Sequence, residues 1–125
     1  MPNVTVKRED ELESSFGGAF KLLRHSLGLS AFGVQILQMP PNAEGYPEHD
    51  HSGDGQEELY AVLGGSAKLV ADGDSHELEP GVYARVGAGQ NRTLEPGDQG
   101  VKMLIIGGVA GRPYEPGEFS KPKSD

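Results

Sequence analysis

Cysteine is absent from this 125-residue chain, and aromatic residues make up only 6% of it. Without cysteine the protein can form no disulfide and perform no thiolate chemistry, so a bound metal would need histidine, carboxylate or water ligands. The few aromatics accompany 19 glycines and 9 prolines. This composition favours short strands joined by tight turns over helices. The length suits one domain, which we predict spans residues 1–125.

Basic residues and long apolar segments are also scarce. Lysine and arginine number 11 against 19 acidic residues, which gives a formal charge of −8. Nucleic acids and anionic membranes bind basic faces, so we expect neither as a partner. No run approaches the ~18 apolar residues of a membrane span, and the N-terminus lacks the apolar segment of a signal peptide. These absences predict a cytoplasmic protein.

Turn signals recur along the chain at the ~8–12-residue spacing of an all-β sandwich or barrel. Asp72-Gly73 predicts a tight hairpin that pairs Lys68 with Glu77 and Ala67 with Leu78. Pro96-Gly97 predicts a further turn between two separate strands. The expected fold is therefore all-β.

The two ends of the chain are expected to be irregular. A short polar N-terminal segment covers residues 1–15, and residues 20–27 are predicted to form an irregular strand that stops at Gly28. The C-terminal tail from Gly111 carries three prolines. We expect it to be extended, and partly disordered beyond Phe119.

Two histidines, His49 and His51, precede a strong turn signal at Asp54-Gly55. Alternate residues of a strand point to the same face, so the two imidazoles are expected to share one. A type I′ turn at Asp54-Gly55 would place His51 opposite Glu58 and His49 opposite Tyr60. This geometry predicts a divalent-metal site formed by His49, His51 and Glu58.

Two alternatives to this site stay open. A one-residue slip in the turn would bring Glu57 to the histidine face in place of Glu58. Histidines and carboxylates also occur on solvated hairpins that bind no ligand. The other two histidines, His25 and His76, are expected to be surface or structural residues.

The chain resembles the cupin superfamily over about residues 31–108. In the first cupin motif, H-x-H is followed by a glutamate and, six residues later, a glycine; His49, His51, Glu58 and Gly65 match it. This spacing independently selects Glu58. The resemblance is to small single-domain bacterial cupins without a settled activity. It implies a jelly-roll barrel, often dimeric, with the metal inside.

The second cupin motif departs from the family pattern at its last position. Gly81 and Gly89 match, but Gly87 stands where proline is usual. Arg92 stands where the fourth ligand histidine is usual. An arginine cannot coordinate a metal, because its guanidinium has no free lone pair. The resemblance therefore implies a guanidinium beside the metal site.

Three arrangements of Arg92 stay open. In the first, a metal keeps the two histidines and Glu58, and Arg92 binds an anionic substrate beside it. In the second, Arg92 pairs with Glu58 and the site is metal-free, because neighbouring cations repel. In the third, Arg92 points away and solvent or Gln90 replaces it. Tyr60 and Gln56 each lie two residues from Glu58, and Gln90 lies two residues from Arg92, so these polar side chains are expected to point to the same face. They are further candidates for substrate binding.

Two functions fit this site. One is a cupin that holds a divalent cation, such as zinc, iron, nickel or manganese, and binds a small anionic or oxygen-rich molecule. The other is a non-catalytic binding or sensor module, with or without a metal. Whether the protein is an enzyme stays open, because a fold does not select a reaction. We further expect a homodimer, as the resemblance implies.

Overall fold

The computed structural model describes residues 2–44 and 46–122. Within them the chain forms seven β-strands and one short α-helix. The strands are β1 (Ser14–Ser15), β2 (Phe20–Lys21), β3 (Gly33–Met39), β4 (Glu57–Ala71), β5 (Asp74–Leu78), β6 (Tyr83–Val86) and β7 (Thr93–Gly108), and the helix is α1 (Leu23–Leu27). Three 3₁₀ turns cover Glu9–Glu11, Phe16–Gly18 and Glu118–Ser120. In the part of the chain described, no helix has the length and apolar character needed to cross a bilayer.

All strand pairs are antiparallel, and the order across the sheet is β1-β2-β3-β7-β4-β5, with β6 also paired to β4. The two longest strands, β4 and β7, pair with each other along most of their length. On its other edge β4 pairs first with β6 and then with β5. Strand β4 is therefore long enough to pair with β6 near its start and with β5 near its end.

The core lies on the inner face of this sheet. Side chains from β3, β4, β5, β6 and β7 meet in one buried cluster: Leu37, Met39, Tyr60, Val62, Ala67, Leu69, Leu78, Val86, Leu94, Val101, Met103 and Ile105. A flat sheet could not bring side chains from β3 and β5 together, because two strands separate them. The sheet therefore curls around its core, and the predicted all-β jelly-roll barrel is confirmed.

The hairpin at Asp72-Gly73 forms as predicted. Both residues have positive φ, at 51° and 80°, as a type I′ turn requires. The predicted register follows, with Lys68 opposite Glu77 and Ala67 opposite Leu78. The local turn chemistry was therefore sufficient to align these two strands.

The predicted hairpin at Asp54-Gly55 is wrong. Gly55 has a φ of 77°, but Asp54 is not among the residues with positive φ, so the two cannot form a type I′ turn. The Asp54 carboxylate instead accepts a hydrogen bond from the backbone N–H of Gln56 at 3.1 Å. This local Asx turn makes residues 50–56 a loop rather than a strand pair.

The cross-strand pairs predicted from that hairpin are consequently absent. His49 is not opposite Tyr60; it forms a bridge with Arg92, with two backbone hydrogen bonds of 2.9 Å. His51 is not opposite Glu58, which pairs with Val86 on one side and Gly107 on the other. The histidines and the glutamate are therefore brought together by the curl of the sheet and not by one hairpin.

Two other local predictions are wrong. The expected strand over residues 20–27 is a strand of two residues followed by helix α1, although Gly28 does end it with a φ of 75°. Pro96-Gly97 is not a turn, because β7 continues through it. The extra residues are absorbed as an irregularity between the pairs Gly65–Val101 and Ala67–Pro96, where the pairing shifts register.

The C-terminal tail is irregular but makes specific contacts. The Ser120 hydroxyl is 2.8 Å from the Gln35 amide nitrogen, which donates to it, and 3.2 Å from the Tyr114 hydroxyl. Gly33 provides the space for the Tyr114 ring, since a Cβ on Gly33 would lie 2.5 Å from its hydroxyl. The tail is therefore held against β3 at one end of the barrel. Residues 123–125, where disorder was also predicted, lie outside the described residues.

Candidate metal centre

Three of the predicted site residues converge at that same end of the barrel. His49, His51 and Glu58 each offer one ligand atom, and these atoms all lie within 4.8 Å of one another. The side chains of His51 and Glu58 are 20% and 12% exposed, so they remain accessible to a ligand. The sheet therefore forms the group predicted from the sequence, by a different strand pairing.

Both histidines are oriented by acceptors on their Nδ1 atoms. Nδ1 of His49 lies 3.0 Å from the carbonyl oxygen of Pro47, which can only accept. Nδ1 of His51 lies 3.1 and 3.2 Å from the two carboxylate oxygens of Asp54. Each Nδ1 therefore carries the proton, which leaves the Nε2 lone pair of a neutral ring free for a metal.

The two oxygens of Glu58 face different partners. Oε2 lies 3.5 Å from Nε2 of His51, on the side of the candidate ligands. Oε1 accepts a hydrogen bond from the Tyr60 hydroxyl at 2.9 Å and lies 3.3 Å from Nη2 of Arg92. The ion pair with Arg92 thus occupies one oxygen and leaves the other free to coordinate.

The charges of this cluster stabilise one another. Burial alone would raise the pKa of Glu58, but contacts with His51, Tyr60 and Arg92 hold it below its usual value. The Glu58 carboxylate in turn raises the pKa of His51, against the effect of burial, and Asp54 adds to the rise. Burial and the Glu58 charge raise the pKa of Tyr60, so its hydroxyl remains a hydrogen-bond donor.

Arg92 is fully buried, at 0% exposure. Its Nε, Nη1 and Nη2 atoms make no hydrogen bond, and its charge is balanced by Glu58 at ion-pair distance. This ion pair is the one predicted in the second arrangement, while the absence of a metal in that arrangement remains a prediction. The third, in which Arg92 points away and Gln90 replaces it, is wrong.

The donor set fits a divalent cation. Two imidazoles and one carboxylate are the ligands that zinc and the later transition metals accept. The Nε2 atom of His51 is buried without a hydrogen-bond partner. A buried polar atom of this kind normally has one, and coordination through its free lone pair would satisfy it.

The candidate substrate-binding residues are divided by the structure. Gln56 lines the same cavity as the histidines, and its amide donates to Asp54 at 3.3 Å. Tyr60 is fully buried and contacts Glu58 from the core side, as does Arg92. Gln90 is not brought to this cavity; it lines a separate depression beside β5 and β6, and its amide donates to the Asn91 carbonyl.

Sequence reasoning missed three contributors to the site. Asp54 was assigned to a turn, yet it orients His51. Pro47 orients His49 through its carbonyl. Gly107 lies opposite Glu58, and a Cβ there would approach the Gln56 amide oxygen to 2.6 Å. Only Asp54 left a signal in the sequence, as a carboxylate three residues from a histidine.

These residues lie in a cavity of about 830 Å³, within the ~300–1,000 Å³ typical of small-molecule sites. The cupin domain family model matches residues 35–107, more than half of the chain. The chain belongs to the cupin family. None of the curated proteins matches it at a significant level.

Solved cupin structures resemble the chain at low sequence identity. A cupin protein from Bacteroides fragilis is 24% identical with a TM-score of 0.71, over 100% of this chain and 99% of that one. A sugar phosphate isomerase of the cupin superfamily from Silicibacter pomeroyi is 26% identical with a TM-score of 0.67, over 82% and 74% of the two chains. The cupin domain of a transcriptional regulator from Enterobacter cloacae is 18% identical with a TM-score of 0.56, over 66% and 84%.

Proposed function

We propose that this cupin binds one divalent cation through His49, His51 and Glu58, and a small molecule with an oxygen-donor head beside it. The observation that carries the proposal is the division of labour at Glu58. One carboxylate oxygen meets Arg92 and Tyr60, while the other faces His51. A cation can therefore bind without breaking the ion pair that neutralises the buried guanidinium.

A bound divalent cation would supply a Lewis acid with coordination positions open to a ligand, since three protein donors converge here among the described residues. Around it, Pro47 and Asp54 hold the two imidazoles in the coordinating tautomer. Tyr60 and Arg92 fix the carboxylate from the core side. The identity of the cation (zinc, iron, nickel or manganese) and the reaction, if there is one, are left open by these residues.

In this proposal the role of Arg92 differs from the substrate-binding role considered first. Its side chain is fully buried and does not line the cavity, whereas that of its ion-pair partner Glu58 does. An anionic ligand would therefore meet the cation and Gln56, while Arg92 acts through Glu58. The positive charge of Arg92 lowers the basicity of that carboxylate and weakens cation binding relative to a neutral neighbour.

A non-catalytic, metal-free binding or sensor function is the second candidate. It is favoured by the ion pair between Arg92 and Glu58, which already balances the charge of the site without a metal. In that case the metal-free protein would gain thermal stability from a small carboxylate ligand, and added divalent cation would not change the gain.

The experiment that separates the two is calorimetric titration of metal-free, tag-free protein with Zn²⁺, Ni²⁺ and Mn²⁺. We expect one ion per chain, and loss of binding in the double variant His49→Ala, His51→Ala. The matched control changes the two remaining histidines, His25→Ala and His76→Ala, and should bind like the wild type. Glu58→Gln repeats the test with a smaller change of shape. A double variant at His49 and His51 that folds and keeps its ion would show that the site lies elsewhere.

We also propose that the protein is a homodimer, as the family resemblance implies. Apolar side chains project from the outer face of β4 and β6, where Leu59, Leu63 and Tyr83 are all exposed. A second copy of the chain could cover this face, and light scattering of the wild type and of Leu63→Glu would test it. The cytoplasmic location, and the absence of nucleic-acid and membrane partners, remain predictions from composition.

A further inference from the structure

The few aromatic residues of this protein are concentrated in one place. The chain has four phenylalanines and four tyrosines. Five of these eight line the cavity that contains the candidate metal ligands: Phe16, Phe20, Tyr46, Tyr114 and Phe119. A chain with so few aromatic rings would distribute them through its core if they served packing alone, so their concentration here points to the cavity.

Four of these rings form a continuous row that ends at the ligands. Ring centroids are 5.7 Å apart between Phe119 and Phe16, 5.5 Å between Phe16 and Phe20, and 6.5 Å between Phe20 and Tyr46. Tyr46 then lies 5.9 Å from the ring of His49. These separations are those of aromatic pairs in contact. One wall of the cavity is thus aromatic from its mouth to the site.

The row begins where the tail meets the N-terminal segment. Phe119 and Phe16 are both about half exposed, so they border the opening and not the core. Phe16 has a φ of 55°, a left-handed conformation that is unfavourable for an aromatic residue. The fold thus places this ring at the cavity mouth despite a backbone cost.

The rest of the lining is mainly apolar, with polar residues such as Gln38 and Glu44 among it. Leu37, Met39 and Ile105 line the cavity from β3 and β7. Of the polar residues on β3, Gln35 donates its amide to Ser120. The side chains that remain free to coordinate a cation are therefore those of His49, His51 and Glu58.

The cavity also lacks a positive charge of its own. Among the described residues that line it there is no lysine or arginine, and Arg92 is buried behind Glu58. A phosphorylated sugar normally meets arginine or lysine at its phosphate, and hydroxyl partners along its length. This cavity offers one cluster of metal ligands, and most of its remaining lining is apolar.

We infer that the ligand has a metal-binding oxygen head joined to an apolar body of at least phenyl size. This inference rests on the proposed function, because the head requires the cation at His49, His51 and Glu58. Phe20 and Phe16 are then specificity residues that contact the apolar body. Burial of a phenyl group against them should strengthen binding about tenfold or more.

Two hydroxamates with the same chelating head test the inference. Acetohydroxamate and benzohydroxamate are titrated into tag-free protein loaded with one equivalent of Zn²⁺. We expect benzohydroxamate to bind at least about tenfold more tightly, and Phe20→Ala to reduce this ratio. Phe32→Ala is the matched control, because Phe32 lies outside the cavity lining. Phe16→Ala repeats the test at a half-exposed ring, where substitution should disturb the fold less.

The outcomes separate this inference from the proposal on which it rests. If the protein takes up no Zn²⁺ at all, the proposed function fails, and the inference fails with it. If it takes up Zn²⁺ but binds both hydroxamates equally, only the inference is overturned. Tighter binding of glucose 6-phosphate than of benzohydroxamate would also overturn it, because that ligand carries a polar body. If the ratio of the two hydroxamate affinities is unchanged in both Phe20→Ala and Phe16→Ala, these rings do not contact the ligand.

Discussion

The two ends of the barrel share β4 and β7 but are filled differently. At the closed end, aliphatic side chains fill the interior, among them Val62, Leu69 and Met103. At the open end the same strands contribute Glu58 and Gly107, and a cavity takes the place of packed side chains. The tight hairpin at Asp72-Gly73 joins β4 and β5 at the closed end, whereas the loop over residues 50–56 borders the open one.

This difference separates stability from function within one sheet. Close packing of aliphatic groups contributes most to the free energy of unfolding. A buried guanidinium, in contrast, is costly unless it is paired, and Arg92 lies at the open end with Glu58 as its ion-pair partner. Substitutions at the closed end should therefore change the free energy of unfolding, and those at the open end should change cation affinity.

The largest effect is expected from Met103→Ala at the closed end. Met103 is fully buried in the core cluster, and truncation of such a side chain costs about 2–5 kcal/mol of unfolding free energy. Denaturant unfolding measures this loss, with Lys102→Ala on the neighbouring, partly exposed position as control. Cation affinity of the folded variant should not change. A parallel fall in affinity would mean that the two ends are coupled.

Arg92→His at the open end should strengthen cation binding. The substitution removes a cation beside the site and supplies a third imidazole, so divalent-cation affinity should rise by about ten- to hundredfold. Calorimetry measures the change, and Arg85→His on the exposed face of β6 is the matched control. Weaker or unchanged binding would show that the side chain at position 92 does not face the ligands.

Cation affinity should also depend on pH through His51. Its pKa is raised by Glu58 and by Asp54, with burial opposing, so protons compete for the ring above the usual value of about 6.5. Apparent affinity should rise with pH, by up to about tenfold per unit, and level off once His51 is neutral. Asp54→Asn should move this inflection to lower pH. The Asp50 carboxylate bonds mainly to Ser52 and interacts less with His51, so Asp50→Asn should move the inflection much less. An unmoved inflection in Asp54→Asn would contradict the account.

The smallest effect is expected from Gly107→Ala. The added methyl would meet the Gln56 amide oxygen at 2.6 Å, displace that amide, and disturb its contact with Asp54. Cation affinity should fall by a few-fold, equivalent to about 1 kcal/mol. The adjacent Gly108→Ala adds its methyl into open space and should have no effect. Equal cation affinity in the two variants would show that Gln56 does not contribute to the site.

The comparison also explains what could be predicted from the sequence. The closed end was predictable where turn chemistry acts locally, as at Asp72-Gly73, whose register follows from two residues with positive φ. The open end was not, because His49 pairs with Arg92 across more than 40 positions of sequence. The convergence of His49, His51 and Glu58 was still predicted, because motif spacing in the family resemblance selects Glu58 without any knowledge of its strand partner.

Other features of the site depend on contacts that no local pattern encodes. The division of the Glu58 oxygens between His51 and Arg92 arises from the curl of the sheet. The aromatic row depends on the tail returning to β3, through Ser120 and Gln35, after a long irregular segment. Asp54 was assigned to a turn alone, whereas its carboxylate serves both the turn at Gln56 and the imidazole of His51.

The most direct test of the central claim is metal K-edge X-ray absorption on tag-free protein loaded with one equivalent of Zn²⁺. Its fine structure counts the imidazole rings around the metal. The account predicts two imidazoles, with the remaining donors oxygen, and the loss of both in the His49→Ala, His51→Ala variant. A spectrum without imidazole scattering in the wild type, or one unchanged in that variant, would contradict a site built from His49, His51 and Glu58.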